Sequence, residues 1–246
     1  MAKLIPGLLQ CAVAVMLFLL LVIMTLNHIN IHIHITMETR EPMHTTLQED
    51  GIDKSGAWTG KSFHHMTDDN FGTALITLLK ELKISSVTDL GCGTGDYVKR
   101  IAGAAISVQG FDGNPTTAEL DVSGGLCVGP VDLTKERTWD MTDAAMSIEV
   151  AEHIPALFED IFVDNLVSSA RHLVILSWAV PGQGGEGHVN GKTAVAVNQK
   201  MKERGWEKNE GFTSQLKSSA TLPWIRANVQ VFTKGEGRIE KDLDQK

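Results

Sequence analysis

Ser86-Val87-Thr88-Asp89-Leu90-Gly91-Cys92-Gly93-Thr94-Gly95-Asp96 decides how this chain of 246 residues folds. An apolar run stops at three glycines spaced two apart, and a helical pattern follows. Such a run reads as a buried parallel strand. Glycines at its carboxyl end allow a sharp turn and let a ligand approach the main chain closely. In open α/β sheets, ligands sit outside the carboxyl ends of strands, where a helix amino terminus offers free N–H groups. The stretch therefore reads as a nucleotide-type cofactor site.

The spacing is not that of the dinucleotide fingerprint G-x-G-x-x-G, and no Gly-Lys-Ser/Thr follows to make a phosphate loop. Downstream, strands and helices alternate. Asp96–Ala104 reads as a helix and Ile106–Asp112 as a second strand, ending in an acid about 20 residues after Asp89. A carboxylate at that place can accept hydrogen bonds from ribose hydroxyls; Asp112 also suits the turn into Gly113-Asn114-Pro115. Leu126–Gly129 reads as a third strand, Ala144–Val150 as a fourth and Leu173–Trp178 as a fifth. Pro155 is expected to open a helix whose apolar face is Leu157, Phe158, Ile161, Phe162 and Leu166. A glycine-rich loop, Pro181–Asn190, follows the fifth strand and is expected to be mobile. Thr193–Arg204 reads as a helix stopped by Gly205, and Asn228–Thr233 as the last strand. The segment between them carries no clear pattern for a sixth strand. Five strand–helix alternations make an α/β, doubly wound, mainly parallel sheet.

Asp89-Leu90-Gly91-Cys92-Gly93-Thr94-Gly95 resembles motif I of the class I S-adenosylmethionine-dependent methyltransferases. Glu149-Val150-Ala151-Glu152-His153-Ile154-Pro155 resembles the segment after strand four in the same family. The resemblance covers roughly residues 55–235. It implies a Rossmann-like sheet of seven strands with an antiparallel seventh, and S-adenosylmethionine as cofactor. It also implies a cofactor site built from Asp89, Gly91, Gly93, Gly95, Asp112 and Glu149, with Asp132 near the adenine amino group. Asp132 equally suits a capping role.

The chemistry so implied is methyl transfer from a sulfonium to a nucleophile, in which the protein orients and desolvates. A hydroxyl acceptor further needs a base or a Lewis acid. Glu152 and His153 at the end of strand four, with His188 in the next strand-end loop, are the candidate catalytic residues. With Glu149 they also form a donor set suited to Mg²⁺, Mn²⁺ or Zn²⁺. The E-x-x-E-H pattern resembles metal-using O-methyltransferases, although many metal-free relatives carry it too. Trp58 and His65, ahead of a helix over Asp69–Leu82, are candidates for a lid.

Upstream, Leu8–Leu26 is apolar except for Gln10 and Thr25. Its length is close to the ~20 residues a helix needs to cross a bilayer. Residues 1–7 are then a short flank, 8–26 a single-pass anchor, 27–54 a linker, 55–235 the methyltransferase domain and 236–246 a charged tail. Lys3 ahead of the span and Arg40 behind it leave the orientation almost undetermined. His28, His32 and His34 alternate with isoleucines as an extension of the anchor or as metal ligands.

The net charge is −8, with no run of Lys or Arg, which argues against a nucleic-acid partner. Three cysteines, Cys11, Cys92 and Cys127, suggest neither a disulfide framework nor a zinc site. The expectation is a membrane-anchored methyltransferase acting on an oxygen or nitrogen of a small molecule. The alternatives are a glycan or protein methyltransferase of a secretory compartment, and a non-catalytic binding or scaffold protein of the same fold.

Overall fold

The computed structural model describes residues 51–60 and 66–234. The apolar run 8–26, the histidines before residue 35, His65 and the tail from residue 236 lie outside the described residues. Among the described residues no helix is long and apolar enough to cross a membrane.

The described chain runs α1 (Asp69–Glu81), β1 (Ser86–Leu90), α2 (Asp96–Gly103), β2 (Ser107–Phe111), α3 (Thr117–Leu120) and β3 (Cys127–Val128). It continues through β4 (Thr142–Ser147), α4 (Glu159–Ser168), β5 (Ala170–Leu176), α5 (Ala194–Glu203) and β6 (Glu207–Lys208). It closes with α6 (Glu210–Ser219), α7 (Pro223–Asn228) and β7 (Gln230–Thr233). The strands form one sheet of seven in the order β3-β2-β1-β4-β5-β7-β6. The first five are parallel, and β7 lies antiparallel between β5 and β6. This is the doubly wound sheet with an antiparallel seventh strand that the sequence led us to expect.

Alternation along the strands divides the core. Val87, Ala144, Met146, Leu173, Ile175 and Val231 point to one face, against α1, α2, α6 and α7. Leu90, Ala145, Val174, Leu176 and Phe232 point to the other, against α4 and α5. Burial on both faces is why these strands read as continuous apolar runs. On α1, Phe71, Leu75, Leu78 and Leu79 recur at helical spacing and are all buried. Asp68 caps this helix and also accepts N–H groups from Thr221 and Leu222, so one carboxylate ties α1 to the α6–α7 turn.

Several boundaries differ from expectation. β4 ends at Ser147, because Glu149 takes a left-handed conformation (φ 58°) that no strand continues through. Pro155 does not open an α-helix. It precedes a 3₁₀ turn, Ala156–Phe158, and α4 starts only at Glu159. Leu157 consequently points outward, 85% exposed, rather than into the core. The sixth strand is only two residues long, and Asn228 ends α7 instead of beginning the last strand.

The Cys92 and Cys127 sulfurs, which the sequence gives no reason to pair, meet beside β2; their Cα atoms are 6.5 Å apart. Gly110 makes room for them, since a Cβ there would crowd Cys92 Cβ at 2.6 Å and Cys127 Sγ at 2.7 Å.

Candidate active site

A cleft of roughly 360 Å³ opens at the carboxyl ends of β1, β2 and β4, within the ~300–1,000 Å³ usual for small-molecule sites. Asp89, Gly91, Cys92, Thr94 and Asp96 line it from the glycine-rich turn, and Asp112, Gly113 and Asn114 from the end of β2. Ile148–Val150, His153 and Ile154 line it from the segment after β4, and Glu186 and His188 from the loop after β5. Ser55–Trp58 and Trp224 complete the wall.

The turn is held by the neighbouring strand. Gly91 and Cys92 donate their N–H groups to Phe111 O at 2.6 and 3.2 Å. The Gly93 N–H goes to Asp112 Oδ2 at 2.8 Å, and the Asn114 N–H to Asp112 Oδ1 at 2.8 Å. Asp112 is thus fixed by two backbone donors at the cleft edge, with lone pairs left for a ligand. Gly91 has φ 89°, and a Cβ there would run into the Val150 side chain. Gly95, at φ 81°, caps α2 with a Cβ direction blocked by Asp121 Oδ1 and Cys127 Sγ. Asp89 is buried beneath the turn. Burial, and next the negative charge of Asp112, raise its pKa to about 8.

Asp132 stands apart from these. It is exposed and does not line the cleft, although Val131 and Leu133 do. Its Oδ1 accepts from the Thr134 N–H and hydroxyl at 2.9 and 2.5 Å, closing a local turn; no helix begins there for it to cap.

On the opposite wall the chain is pinned in an unusual shape. Glu149 donates its N–H to Ser177 Oγ at 2.6 Å, and Ser177 donates its hydroxyl to Glu149 Oε1 at 2.8 Å. Burial raises the Glu149 pKa, against hydrogen bonds from Ser177 and Asn228 and the charge of His188. Glu152 is fully buried, and neither carboxylate oxygen has a hydrogen-bond partner among the described residues. Burial, and then the negative charge of Glu149, raise its pKa as well. His188 Nε2 stands 3.9 Å from Glu152 Oε1, and the His188 and His153 rings meet edge-on at 4.9 Å. Ligand atoms of Glu152, His153 and His188 all lie within 4.8 Å of one another.

The loop after β5 is anchored at its far end. The carbonyl of Glu152 accepts the N–H groups of Val189 and Asn190 at 2.9 and 3.0 Å. Trp178 Nε1 donates to Asn190 O at 2.6 Å. Glu152 therefore sets His188 through its backbone as well as facing it with its carboxylate. Trp58 lines the cleft, its ring 6.3 Å from the His153 ring. The 51–59 turn that carries Trp58 packs its Gly56 onto the His153 backbone, where a Cβ would collide with the carbonyl.

Sequence reasoning missed Ser177, Asn114 and Trp224. Ser177 had a signal: it is a small polar residue ending the apolar run of β5. Asn114 bridges the cleft edge to the Gly60 carbonyl at 2.9 Å, a contact between residues far apart in the chain. Trp224 lies in the segment that carried no clear pattern.

No protein-family model matches the chain, and no curated protein matches it. Solved structures do. A magnesium protoporphyrin IX methyltransferase from Synechocystis with bound S-adenosylmethionine is 15% identical, at TM-score 0.52 over 70% of this chain and 87% of that one. A sugar N-methyltransferase from Streptoalloteichus is 11% identical, at TM-score 0.53 over 72% and 98%. An amino pentose methyltransferase from Micromonospora echinaspora is 13% identical, at TM-score 0.52 over 72% and 100%. The chain has the fold of the class I S-adenosylmethionine-dependent methyltransferases.

Proposed function

We propose that this protein transfers a methyl group from S-adenosylmethionine to an oxygen or nitrogen of a small-molecule acceptor, and that residues 8–26 anchor it to a membrane. The observation that carries the reaction is the Asp112 carboxylate, held by Gly93 and Asn114 beside a turn that excludes side chains at Gly91 and Gly95. A cradle of backbone donors with one ordered acid fits a ribose-bearing cofactor.

The cofactor supplies an electrophilic methyl group. The residues of this chain supply the rest. Asp112 would accept hydrogen bonds from the ribose hydroxyls, and the Gly91–Gly95 turn, where side chains have no room, would let the cofactor approach the backbone. Glu149, held by Ser177, closes the wall between the turn and the histidines. His188, whose Nε2 faces Glu152 at 3.9 Å, takes the acceptor's proton. His153, edge-on to His188, restricts the ring's orientation. The buried setting strengthens each of these electrostatic contacts.

A second reading adds a divalent cation, Mg²⁺ or Mn²⁺, at Glu152, His153 and His188. It is favoured by the fully buried oxygens of Glu152, without a hydrogen-bond partner among the described residues, beside two imidazoles. In that reading Glu152, His153 and His188 would hold the cation, which would supply Lewis-acid activation of a hydroxyl acceptor.

Calorimetric titration of the full chain in detergent with S-adenosylmethionine tests the cofactor. Saturable binding that Asp112→Ala weakens supports it; absent binding, or affinity untouched by that substitution, overturns it and favours a scaffold of the same fold. Paramagnetic titration with Mn²⁺ tests the second reading, which requires binding that Glu152→Gln abolishes. Alkaline extraction of membranes tests the anchor, and protease protection in sealed vesicles reports which side the domain occupies.

A further inference from the structure

We propose that the rim of the cleft around Leu157, Val180, Val189 and Val195 is a membrane-contacting surface, seated on the lipid bilayer. The inference rests on the anchoring reading above and adds an orientation to it.

Eight large apolar side chains among the described residues are exposed, and four of them belong to this rim: Leu157 at 85%, Val195 at 79%, Val189 at 65% and Val180 at 39%. They come from three segments that meet at Glu159. Leu157 lies in the 3₁₀ turn two residues before Glu159. Glu159 accepts from Asn190, beside Val189, at 3.0 Å and pairs with Lys192 at 2.7 Å. Lys192 in turn donates its N–H to Ala179 O, beside Val180, at 2.8 Å. Val195, three residues later, is the second residue of α5.

All four sit at the same end of the molecule. Val180 follows the carboxyl end of β5. Leu157 and Val195 precede or open helices α4 and α5 at their amino ends, which in a doubly wound sheet lie over the carboxyl edge. Val189 is next to His188, which lines the cleft. The apolar rim and the cleft mouth therefore belong to one edge.

Scattered exposed apolar residues are ordinary, whereas a contiguous group of them marks an interaction surface. The chain itself specifies the partner. It carries the apolar run Leu8–Leu26, long enough to span a bilayer, 24 residues ahead of the described domain. Among the charges bordering the rim, Glu159 is paired with Lys192 and Lys200 at 2.7 and 2.8 Å. With this edge on the bilayer, the cleft takes its acceptor from the membrane surface.

The experiment uses the full chain reconstituted in phosphatidylcholine vesicles containing a lipid with a nitroxide at headgroup depth. A fluorescent amino acid replaces Leu157, Val189 or Val195 in turn, and Ser107 at the opposite edge of the sheet as control. Quenching at least twofold stronger at the three rim positions than at 107 is expected. A Leu157→Asn/Val195→Asn double variant should lose the quenching at 189 while keeping its affinity for S-adenosylmethionine. Equal quenching at all four positions, in protein that floats with the vesicles, overturns the proposal. Protein that fails to float overturns the anchor and this surface together. Lost cofactor binding with rim quenching intact removes the reaction and leaves the surface standing.

Discussion

Ser177 holds Glu149 at both ends of the residue, accepting its N–H at 2.6 Å and donating to its Oε1 at 2.8 Å. A non-glycine residue at φ 58° costs of the order of 1–3 kcal/mol and persists only when its surroundings over-determine it. Ser177 is that surrounding. Ser177→Ala leaves the Glu149 N–H without its acceptor, which costs about 1–3 kcal/mol. The expected outcome is a lower denaturation midpoint and weaker cofactor binding, because the wall beside the turn loses its fixed shape. Unchanged affinity after this substitution would remove Glu149 from the site.

Asp112→Ala removes the acceptor of the Gly93 and Asn114 N–H groups together with the acid proposed to meet the ribose. Charge-assisted hydrogen bonds contribute about 1.5–3 kcal/mol, so affinity for S-adenosylmethionine should fall roughly 10- to 100-fold. Asp112→Asn should fall between, since its amide oxygen can still accept one of the two backbone donors. Titration calorimetry on the three proteins gives the order.

Stability should depend on Asp89 in a defined direction. Its pKa rises from 3.8 to about 8 on folding, through burial first and the charge of Asp112 second. Between these values the folded state holds a proton that the unfolded state releases. Its contribution is therefore complete at acid pH and is lost as pH climbs toward and through 8. Glu149 and Glu152, raised by burial, act in the same sense. Urea denaturation from pH 5 to 8.5 should show stability falling, and Asp89→Asn should flatten that slope. A slope unchanged by the substitution contradicts the assignment.

Gly56→Ala should impair the protein more than Gly103→Ala. A Cβ at 56 meets the His153 carbonyl at a φ of 91°, whereas a Cβ at 103 meets nothing within 4 Å. The first displaces the backbone of a candidate catalytic residue. The second replaces a glycine in α2, where alanine is favoured by about 0.5–1 kcal/mol. Thermal melts and cofactor titration of both variants would separate strain at the site from a general loss of stability.

The parts of this molecule legible in the sequence are those whose cause is local. The spacing of Gly91, Gly93 and Gly95 requires positive φ, and all three have it. Asp112 ends an alternating run and stands beside the turn. Glu152, His153 and His188 do converge, because β4 and β5 are neighbours and both loops leave the same edge. What stayed hidden has a distant cause. The left-handed Glu149 owes its shape to a serine 28 positions away. Cys92 and Cys127 are 35 residues apart and meet only because Gly110 of β2 has no side chain. The two-residue β6 is too short for any periodicity, and its place is given by β7. Leu157 looked like core from its spacing, and the 3₁₀ turn after Pro155 rotated it out to solvent.

The position of β7 bears on how the chain is made. The ribosome delivers β5 and then β6, yet the two are never neighbours; the strand that joins them is the last one in the described chain. Until it arrives, β5 presents a bare apolar edge to the cell, and β6 has no strand to lie against. An open edge of that kind invites pairing with other chains. Between translating Leu176 and Thr233 the β5 edge thus lacks its native partner.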